Sequence, residues 1–281
     1  MKNSLSYEGK RALITGCYSG MGEAAARIIS GLGGRVVAVD IKRPSFDCES
    51  FHEVDLRDPD AIDAMLAEVQ RGGPIDALFY CAGLPGGSFP ALDVMLVNFL
   101  GLRHTVERCL PQMKPGSAIV SISSAAGMAY AGALDRVRPL LETPDHAAGR
   151  RWVEENLAQP GFEPYSFSKM CTIIYTLRGG VTITKERGVR INCISPGPTA
   201  TPMMDHFEKQ MGKEFMQRYP DPIGRYATPE EQAWPMVFLN SSLASHISGE
   251  NLFTDGGTAG GLMMGALDPS TMFPPATPAQ N

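Results

Sequence analysis

The sequence alternates short apolar runs with longer amphipathic segments, and this alternation constrains the fold more than any other feature. Strands that alternate with helices form βαβ units, whose strands are parallel and covered on both faces. The pattern therefore predicts an α/β protein with a doubly wound parallel sheet of about seven strands and helices on both faces. The predicted strands are Arg11–Thr15, Arg35–Asp40, Ser50–Asp55, Ile75–Tyr80, Ser117–Ser121, Val189–Ile194 and Asn251–Thr254.

The first predicted strand runs into a glycine-rich turn, TGCYSGMG, and a helix follows near Glu23. Glycines allow a tight turn and let a pyrophosphate approach the backbone, while the helix N-terminus adds amide hydrogens and partial positive charge. No Lys-Ser/Thr pair follows the last glycine, which argues against a P-loop kinase. A loop that merely needs positive φ is the alternative, but the strand–turn–helix context favours a Rossmann-like dinucleotide site. Its candidate residues are Gly16, Ser19, Gly20, Met21 and Gly22.

Asp40 ends the second predicted strand, 18 residues after Gly22. A carboxylate at this place accepts hydrogen bonds from the ribose hydroxyls of NAD and repels the 2′-phosphate of NADP. Ile41 follows it directly, although Lys42 and Arg43 lie close by. The alternative is an aspartate that makes only a turn hydrogen bond. The favoured interpretation predicts NAD as cofactor.

Asp55 and Leu56 follow at the end of the third predicted strand, where they could contact the adenine edge. An aspartate before a helix is also an ordinary N-cap. The sequence leaves this choice open.

Tyr165 and Lys169 lie four residues apart and therefore share one face of a helix. Free tyrosine has a pKa of about 10 and is a poor acid or base near neutrality. A lysine ammonium one turn away favours the phenolate and lowers that pKa, so the pair can serve as general acid/base for an alcohol or carbonyl oxygen. Alone, such a spacing is more often an ordinary surface pair.

In combination, these motifs resemble the short-chain dehydrogenase/reductase family. The glycine turn, Asp40, Asn98 in VNFLG, Ser124 in ISSAAG and the Tyr165/Lys169 pair occur in the family's order. The segments VRINCISPG at 189–197 and GENLFTDGG at 249–257 complete the set. The resemblance covers about residues 8–258 and implies a single NAD-binding catalytic domain over residues 1–258.

The resemblance also implies roles for the matched residues. Tyr165 is expected to be the acid/base, and Ser124 is expected to orient and polarise the substrate oxygen. Ser123 is the alternative to Ser124, but the family pattern Ser-Ser-x-x-Gly uses the second serine. Lys169 is expected to lower the pKa of Tyr165 and bind the nicotinamide ribose, and Asn98 to seat a water that links Lys169 to solvent. The remaining expected cofactor contacts are Ala82, Gly83, Pro196, Gly197, Thr199 and Thr201.

Two departures narrow the resemblance. The usual Asn-Asn-Ala-Gly after the fourth strand is Tyr-Cys-Ala-Gly at 80–83, which keeps the half that lets backbone approach the adenosine ribose. Tyr165 follows Ser124 by 41 residues, much further than in most of the family. The long insertion, together with CAGL at 81–84 and PGPTATP at 196–202, resembles the bacterial 3α-hydroxysteroid dehydrogenase/carbonyl reductase subgroup. That subgroup implies a secondary alcohol on a bulky apolar skeleton, or the matching ketone.

Three segments fall outside the regular alternation. An insertion at about 129–164 has a predicted helix start at Thr143 (cap), Pro144 and Asp145, and a connector at about 199–226 has the composition of a substrate flap. Residues 259–281 are predicted to be a C-terminal tail, either laid over a neighbouring surface or disordered. Apolar side chains for a substrate pocket come from Leu84, Pro85, Met128, Tyr130, Met203, Met204 and Phe207, although methionines at helical spacing more often fill a core.

Composition excludes other classes. The net charge of −5 and the absence of a dense basic stretch argue against nucleic acid. The six cysteines have no metal-ligand spacing, so we expect reduced thiols and no metal site. We find no signal peptide and no apolar run of about 18 residues, which predicts a cytoplasmic protein without a membrane contact. Family resemblance predicts a homodimer or homotetramer.

The leading functional hypothesis is therefore an NAD-dependent secondary alcohol dehydrogenase for a steroid-like or other bulky hydrophobic substrate. A dehydrogenase for an aryl or terpenoid alcohol is the alternative among enzymes. The non-enzymatic alternative is an NAD-binding regulator or scaffold without turnover. The intact set of Asn98, Ser124, Tyr165 and Lys169 counts against this last hypothesis, since binding alone does not need all four.

Overall fold

The seven strands form one parallel sheet in the order β3-β2-β1-β4-β5-β6-β7, which confirms the predicted fold class. The structure is a computed structural model that describes residues 5–159, 162–217 and 219–268. The strands are β1 (Arg11–Thr15), β2 (Arg35–Asp40), β3 (Ser50–Glu53), β4 (Ala77–Tyr80), β5 (Ala118–Ile122), β6 (Arg190–Pro196) and β7 (Asn251–Thr254). All residues of β1, β4, β5 and β6 are buried, as expected for central strands that helices cover on both faces.

Helices cover both faces of the sheet. The α-helices are α1 (Gly20–Gly31), α2 (Pro59–Arg71), α3 (Ala91–Met95), α4 (Leu102–Cys109), α5 (Leu134–Leu141), α6 (His146–Asn156), α7 (Pro164–Arg187), α8 (Pro202–Met211), α9 (Lys213–Gln217), α10 (Pro229–Leu239) and α11 (Thr258–Met263). Buried side chains of α1 and α10 form the core on one face, and those of α2, α4 and α7 form the core on the other. No helix in the described ranges is long and apolar enough to cross a membrane.

The strand bounds follow the prediction with small shifts at the ends. The bounds of β1, β2 and β7 agree with the sequence prediction. Strand β3 ends two residues before the predicted Asp55, because the chain turns there and the Asp55 carbonyl accepts the Asp58 amide at 3.1 Å. Strand β6 continues two residues past the predicted end, because Ser195 and Pro196 still pair with β7.

The insertion contains two helices, α5 and α6, and the predicted cap of the second helix was wrong. The cap of α6 is Asp145, whose carboxylate accepts the Ala148 amide at 2.7 Å. Thr143 belongs instead to the end of α5: its hydroxyl donates to the Leu140 carbonyl at 2.7 Å. The same hydroxyl accepts a 2.8 Å hydrogen bond from the buried Arg103 of α4, a contact that a cap prediction from local sequence does not contain.

The predicted flap contains helices α8 and α9, and its end lies against its start, where the Ala200 amide donates to the Ala227 carbonyl at 2.9 Å. The first residues of the predicted tail are helical: α11 runs from Thr258 to Met263, and Ala259 is buried. The remainder of the predicted tail, 269–281, lies outside the described residues.

Candidate active site

The order of the strands creates a crevice at the carboxyl ends of β1 and β4, where the connections leave for opposite sides. Open α/β sheets bind ligands at such a point. Gly16 follows β1 with a φ of +67°, and a Cβ there would overlap the backbone of Ala82 after β4. A Cβ on Gly22 would overlap the Gly16 carbonyl. The turn therefore requires these two glycines, which bring its backbone to the edge of the crevice.

The amide end of α1 faces this crevice without a side-chain cap. Ser19 occupies the N-cap position in extended conformation, but its hydroxyl accepts no hydrogen bond from the helix. By contrast, carboxylates of Asp58, Asp145 and Glu163 cap α2, α6 and α7. The first amides of a helix need acceptors, and phosphate oxygens meet that need. This open helix end and the cradle of glycines fit the pyrophosphate of a dinucleotide cofactor.

Asp40 lies half-buried at the end of β2, and its carboxylate accepts the Tyr18 amide at 2.9 Å and the Lys42 amide at 3.3 Å. The contact to Lys42 is the turn hydrogen bond of the alternative explanation. The contact to Tyr18 ties the carboxylate to the glycine turn. The Lys42 ammonium lies over the Tyr18 ring, 5.4 Å from its centroid.

Asp55 is not the cap of α2, since Asp58 fills that position, so the N-cap alternative for Asp55 was wrong. The Asp55 carboxylate instead binds the Arg57 guanidinium, and this hydrogen bond lowers the pKa of Asp55. Leu56 is buried in the core beside α2. Contact of this pair with adenine stays a prediction.

The candidate catalytic side chains meet where β5 ends and α7 begins. Ser124 caps a 3-10 helix, Ala125–Ala133, and its hydroxyl lies beside the Tyr165 hydroxyl, where it counteracts the rise of the Tyr165 pKa. The buried Lys169 donates from Nζ to the Ile122 carbonyl at 2.9 Å, and Nζ lies 5.5 Å from the centroid of the Tyr165 ring. Ser123, the alternative to Ser124, is buried and donates to the Lys169 carbonyl at 2.9 Å.

The protonation of this cluster departs from the expectation. Burial raises the pKa of Tyr165 to about 12, and the neighbouring Ser124 hydroxyl opposes that rise. Burial also lowers the pKa of Lys169 to about 8. The net shift of the tyrosine pKa is therefore upward and not downward, because desolvation of the phenolate exceeds the stabilisation it receives. The lysine charge is itself disfavoured by the same burial.

Asn98 lies in a π-helical turn, Leu96–Gly101, that interrupts the helix preceding α4. Such turns are frequent at functional sites. The Asn98 side chain accepts the Leu84 amide at 2.7 Å, and it donates to the Leu84 carbonyl at 3.0 Å and to Ser168 at 3.2 Å. It thereby fixes the chain after β4 against α7, one residue from Lys169. The predicted water at Asn98 stays a prediction.

The loop after β6 and the start of α8 bound the site on the far side. Thr199 is buried and its hydroxyl donates to the Gly197 carbonyl at 3.0 Å. A Cβ on Gly20 of the glycine turn would lie 3.2 Å from the Thr201 methyl group. The predicted cofactor residues from β1 and from the loop that follows Pro196 therefore lie next to each other across the crevice.

The flap helix α8 brings apolar side chains to the tyrosine. The Phe207 ring meets the Tyr165 ring edge-on, with 5.3 Å between centroids. The Met203 methyl group would be 3.8 Å from a Cβ on Gly83, a position that also faces Lys169 Nζ at 3.7 Å. Met204, by contrast, is buried with only 9% of its surface exposed. Of the three flap residues predicted for the substrate pocket, Met203 and Phe207 have described contacts with the site.

Two groups that position Tyr165 and Lys169 were not predicted from the sequence: the Glu163 carboxylate and the Ile122 carbonyl. Glu163 caps α7 through the Tyr165 and Ser166 amides, at 3.1 and 2.6 Å, and thus sets the start of the helix that carries Tyr165 and Lys169. Its signal was present as an acidic residue before Pro164, the first residue of the helix. The Ile122 carbonyl, which holds Lys169, has no sequence signal because every residue carries one. Within the described residues, no three metal-ligating side chains come together.

Comparison with known proteins decides the family. The model described as "short chain dehydrogenase" matches residues 10–134, and that described as "Enoyl-(Acyl carrier protein) reductase" matches residues 151–259. The coniferyl-alcohol dehydrogenase of Pseudomonas sp. (strain HR199) is 32% identical over 250 residues, 89% of this chain and 96% of the relative. This chain belongs to the short-chain dehydrogenase family.

Two further relatives agree with the predicted subgroup. The 3-alpha-hydroxysteroid dehydrogenase/carbonyl reductase of Comamonas testosteroni is 31% identical over 250 residues, 87% of this chain and 95% of the relative. The crystal structure of the 3-alpha-hydroxysteroid dehydrogenase from Pseudomonas sp. B-0831, complexed with NADH, superposes with a TM-score of 0.76. It is 28% identical and covers 92% of this chain and 100% of that one. As a short-chain dehydrogenase, the chain is an oxidoreductase of a family that uses NAD or NADP.

Proposed function

We propose that this short-chain dehydrogenase interconverts a secondary alcohol and its ketone on a bulky, hydrophobic, steroid-like substrate, with NAD as cofactor. The observation that carries the proposal is the cluster of the Ser124 and Tyr165 hydroxyls beside Lys169, with the apolar side chains of Met203 and Phe207 of α8 next to it. A hydroxyl pair offers one donor and one acceptor to a carbinol oxygen, and apolar walls suit a ring skeleton.

The residues have distinct tasks in the oxidation of an alcohol. Ser124 donates a hydrogen bond to the substrate oxygen and holds it at the Tyr165 hydroxyl. Tyr165 as phenolate takes the proton of the alcohol, while the carbinol carbon gives up its hydride. NAD, when bound, would supply the acceptor for that hydride and a positive charge that favours the phenolate of Tyr165. In the reverse direction, Tyr165 as phenol returns the proton to the carbonyl oxygen.

Lys169 and the glycine turn position the cofactor in this proposal. Lys169 Nζ faces the Gly83 position after β4 and would offer its remaining donors to a ribose hydroxyl, and the amide end of α1 would receive the pyrophosphate. Ala82, Gly83, Pro196 and Gly197 would line the cofactor, as the family resemblance implies.

The preference for NAD rests on Asp40. Its carboxylate would accept ribose hydroxyls and repel a 2′-phosphate. The NADH complex of the structurally similar 3-alpha-hydroxysteroid dehydrogenase supports this choice. We expect kcat/KM with NAD to exceed that with NADP by about two orders of magnitude, or about 2.7 kcal/mol. Asp40→Ala should reduce the difference in kcat/KM between NAD and NADP. Asp47→Ala, which removes a charge from the exposed loop after β2, should leave that difference unchanged. Equal efficiency with both cofactors in the wild type would refute the assignment.

A second candidate substrate class has its own support. The similarity to coniferyl-alcohol dehydrogenase and the edge-on Phe207 ring at the tyrosine both suit an aryl alcohol. The two classes can be separated by NADH formation with a panel that contains androsterone, coniferyl alcohol, borneol and 2-propanol. The proposal expects the highest kcat/KM for androsterone. A higher value for coniferyl alcohol would favour the aryl candidate, and no turnover of any ring-bearing alcohol would overturn both.

A further inference from the structure

One face of the flap helix α8 points toward the catalytic residues and the loop after β4. Its residues Met203, His206, Phe207 and Gln210 have the spacing of a single helical face. Phe207 meets the Tyr165 ring and Met203 lies near Lys169, so the apolar pair covers the catalytic site. His206 and Gln210 lie on the same face, and they meet the loop that follows β4.

That loop is shaped to receive the helix. Gly86 is buried, and a Cβ there would lie 3.1 Å from the Tyr165 Cβ. Gly87 has a φ of +74°, and a Cβ on it would overlap the amide group of Gln210. Small residues in this loop therefore let the catalytic helix and the flap helix approach it from two sides.

The described polar contact between flap and loop joins two side chains. Ser88 Oγ and His206 Nδ1 share a hydrogen bond at 3.2 Å. The His206 ring also contacts the exposed Phe89 ring, with 6.0 Å between centroids. His206 precedes Phe207 directly, so any change in the position of His206 is passed to the ring that covers Tyr165.

We propose that Ser88 and His206 are specificity-determining positioning residues, whose hydrogen bond seats α8 on the 86–89 loop and thereby holds Phe207 against the substrate ring. This inference rests on the proposed alcohol–ketone activity. A substrate must pass between Phe207 and Tyr165, so α8 must move away to admit it. A ring-bearing substrate contacts Phe207 and Met203 only when α8 returns to its seat, that is, its position against the 86–89 loop. A small alcohol contacts neither side chain, so its turnover does not depend on whether α8 occupies the seat.

The test measures the seat and the specificity separately. The variants are Ser88→Ala, His206→Leu, which keeps an apolar contact with Phe89, and the double variant. Hydrogen exchange of the α8 amides reports the seat without any substrate. We expect each of the three to exchange about three- to tenfold faster than the wild type, the scale of one hydrogen bond. The double variant should be no faster than either single one, because both changes remove the same contact.

Specificity is read from kcat/KM for androsterone or coniferyl alcohol, whichever turns over, relative to 2-propanol. That ratio should fall about three- to tenfold in the same three variants, again the scale of one hydrogen bond. Ser88→Thr, which keeps the hydroxyl, should preserve both exchange and ratio, and so should Lys209→Ala on the exposed side of α8. Unchanged exchange, additive effects or an unchanged ratio would overturn the proposal. If the wild type turned over no alcohol, the proposed function would fail, while exchange would still decide whether the seat exists.

Discussion

The cofactor side and the substrate side of this enzyme are held in place by different parts of the chain. On the cofactor side, Gly16 and Gly22 pack backbone against backbone, and the strands that carry the crevice are fixed by the parallel ladder. On the substrate side, side chains make the decisive contacts: Arg103 holds the end of α5, and His206 holds α8. Backbone packing tolerates few changes, whereas side-chain contacts can be exchanged singly. The difference suggests why one side can stay constant while the other adapts to a substrate.

The largest expected effect is that of Tyr165→Phe, at the residue where the cofactor side and the substrate side meet. Tyr165→Phe should lower kcat by about 10²- to 10⁴-fold, because it removes the group that transfers the proton. It should leave NADH binding within a few-fold, since the glycine turn and Asp40 are untouched. Single-turnover kinetics and NADH fluorescence measure the two quantities. Tyr175→Phe on the same helix is the matched control and should retain activity. More than about a tenth of the wild-type kcat in Tyr165→Phe would assign the proton to another group.

A glycine on the cofactor side and a glycine in the insertion test whether backbone packing tolerates fewer changes. Gly16→Ala should lower the free energy of unfolding by about 2–4 kcal/mol, because φ is +67° and a Cβ would overlap the Ala82 backbone. Gly132→Ala in the insertion has open space around it and should stay within about 0.5 kcal/mol. Urea denaturation measures both. Similar losses in the two variants would remove the contrast.

These regions also differ in what the sequence could predict. The ends of β1 and β2 and the glycine turn follow from local patterns, since apolar runs and glycines constrain their own backbone. The cap of α6 was misplaced at Thr143 because Arg103, 40 residues earlier, claims that hydroxyl. Likewise, the upward pKa shift of Tyr165 depends on burial by elements distant in sequence. Caps and pKa values that depend on tertiary contacts therefore cannot be predicted from a local sequence pattern.

Burial of Lys169, at the place where the cofactor side and the substrate side meet, predicts a pH-dependent stability. Its pKa falls from 10.5 to about 8 on folding. Between these values the unfolded chain binds the proton and the folded one does not, so stability rises with pH in this window. Lys169→Met should therefore be more stable than the wild type at pH 7.5, by about 2–3 kcal/mol, and the gap should narrow toward pH 9.5. Urea denaturation at both pH values measures it. Lys185 is exposed at the far end of α7, so Lys185→Met should have the same free energy of unfolding as the wild type at both pH values. A stability difference between Lys169→Met and the wild type that does not change with pH would refute the lowered pKa of Lys169.

The smallest expected effect distinguishes two neighbouring methionines of the flap. Met203 faces Gly83 and Lys169, whereas Met204 is buried. Met203→Ala should weaken ring-bearing substrates by about 1–3 kcal/mol in kcat/KM, the scale of removing apolar surface from a binding pocket, and should leave 2-propanol unaffected. Met204→Ala should instead lower Tm and preserve the ratio of large to small substrates, because it leaves a cavity within the protein. Each variant is thus the control for the other. If Met204→Ala changed the ratio of kcat/KM for large and small substrates and Met203→Ala did not, α8 would present a different face to the substrate. The contact of α8 with Tyr165 would then not show which side chains bind the substrate.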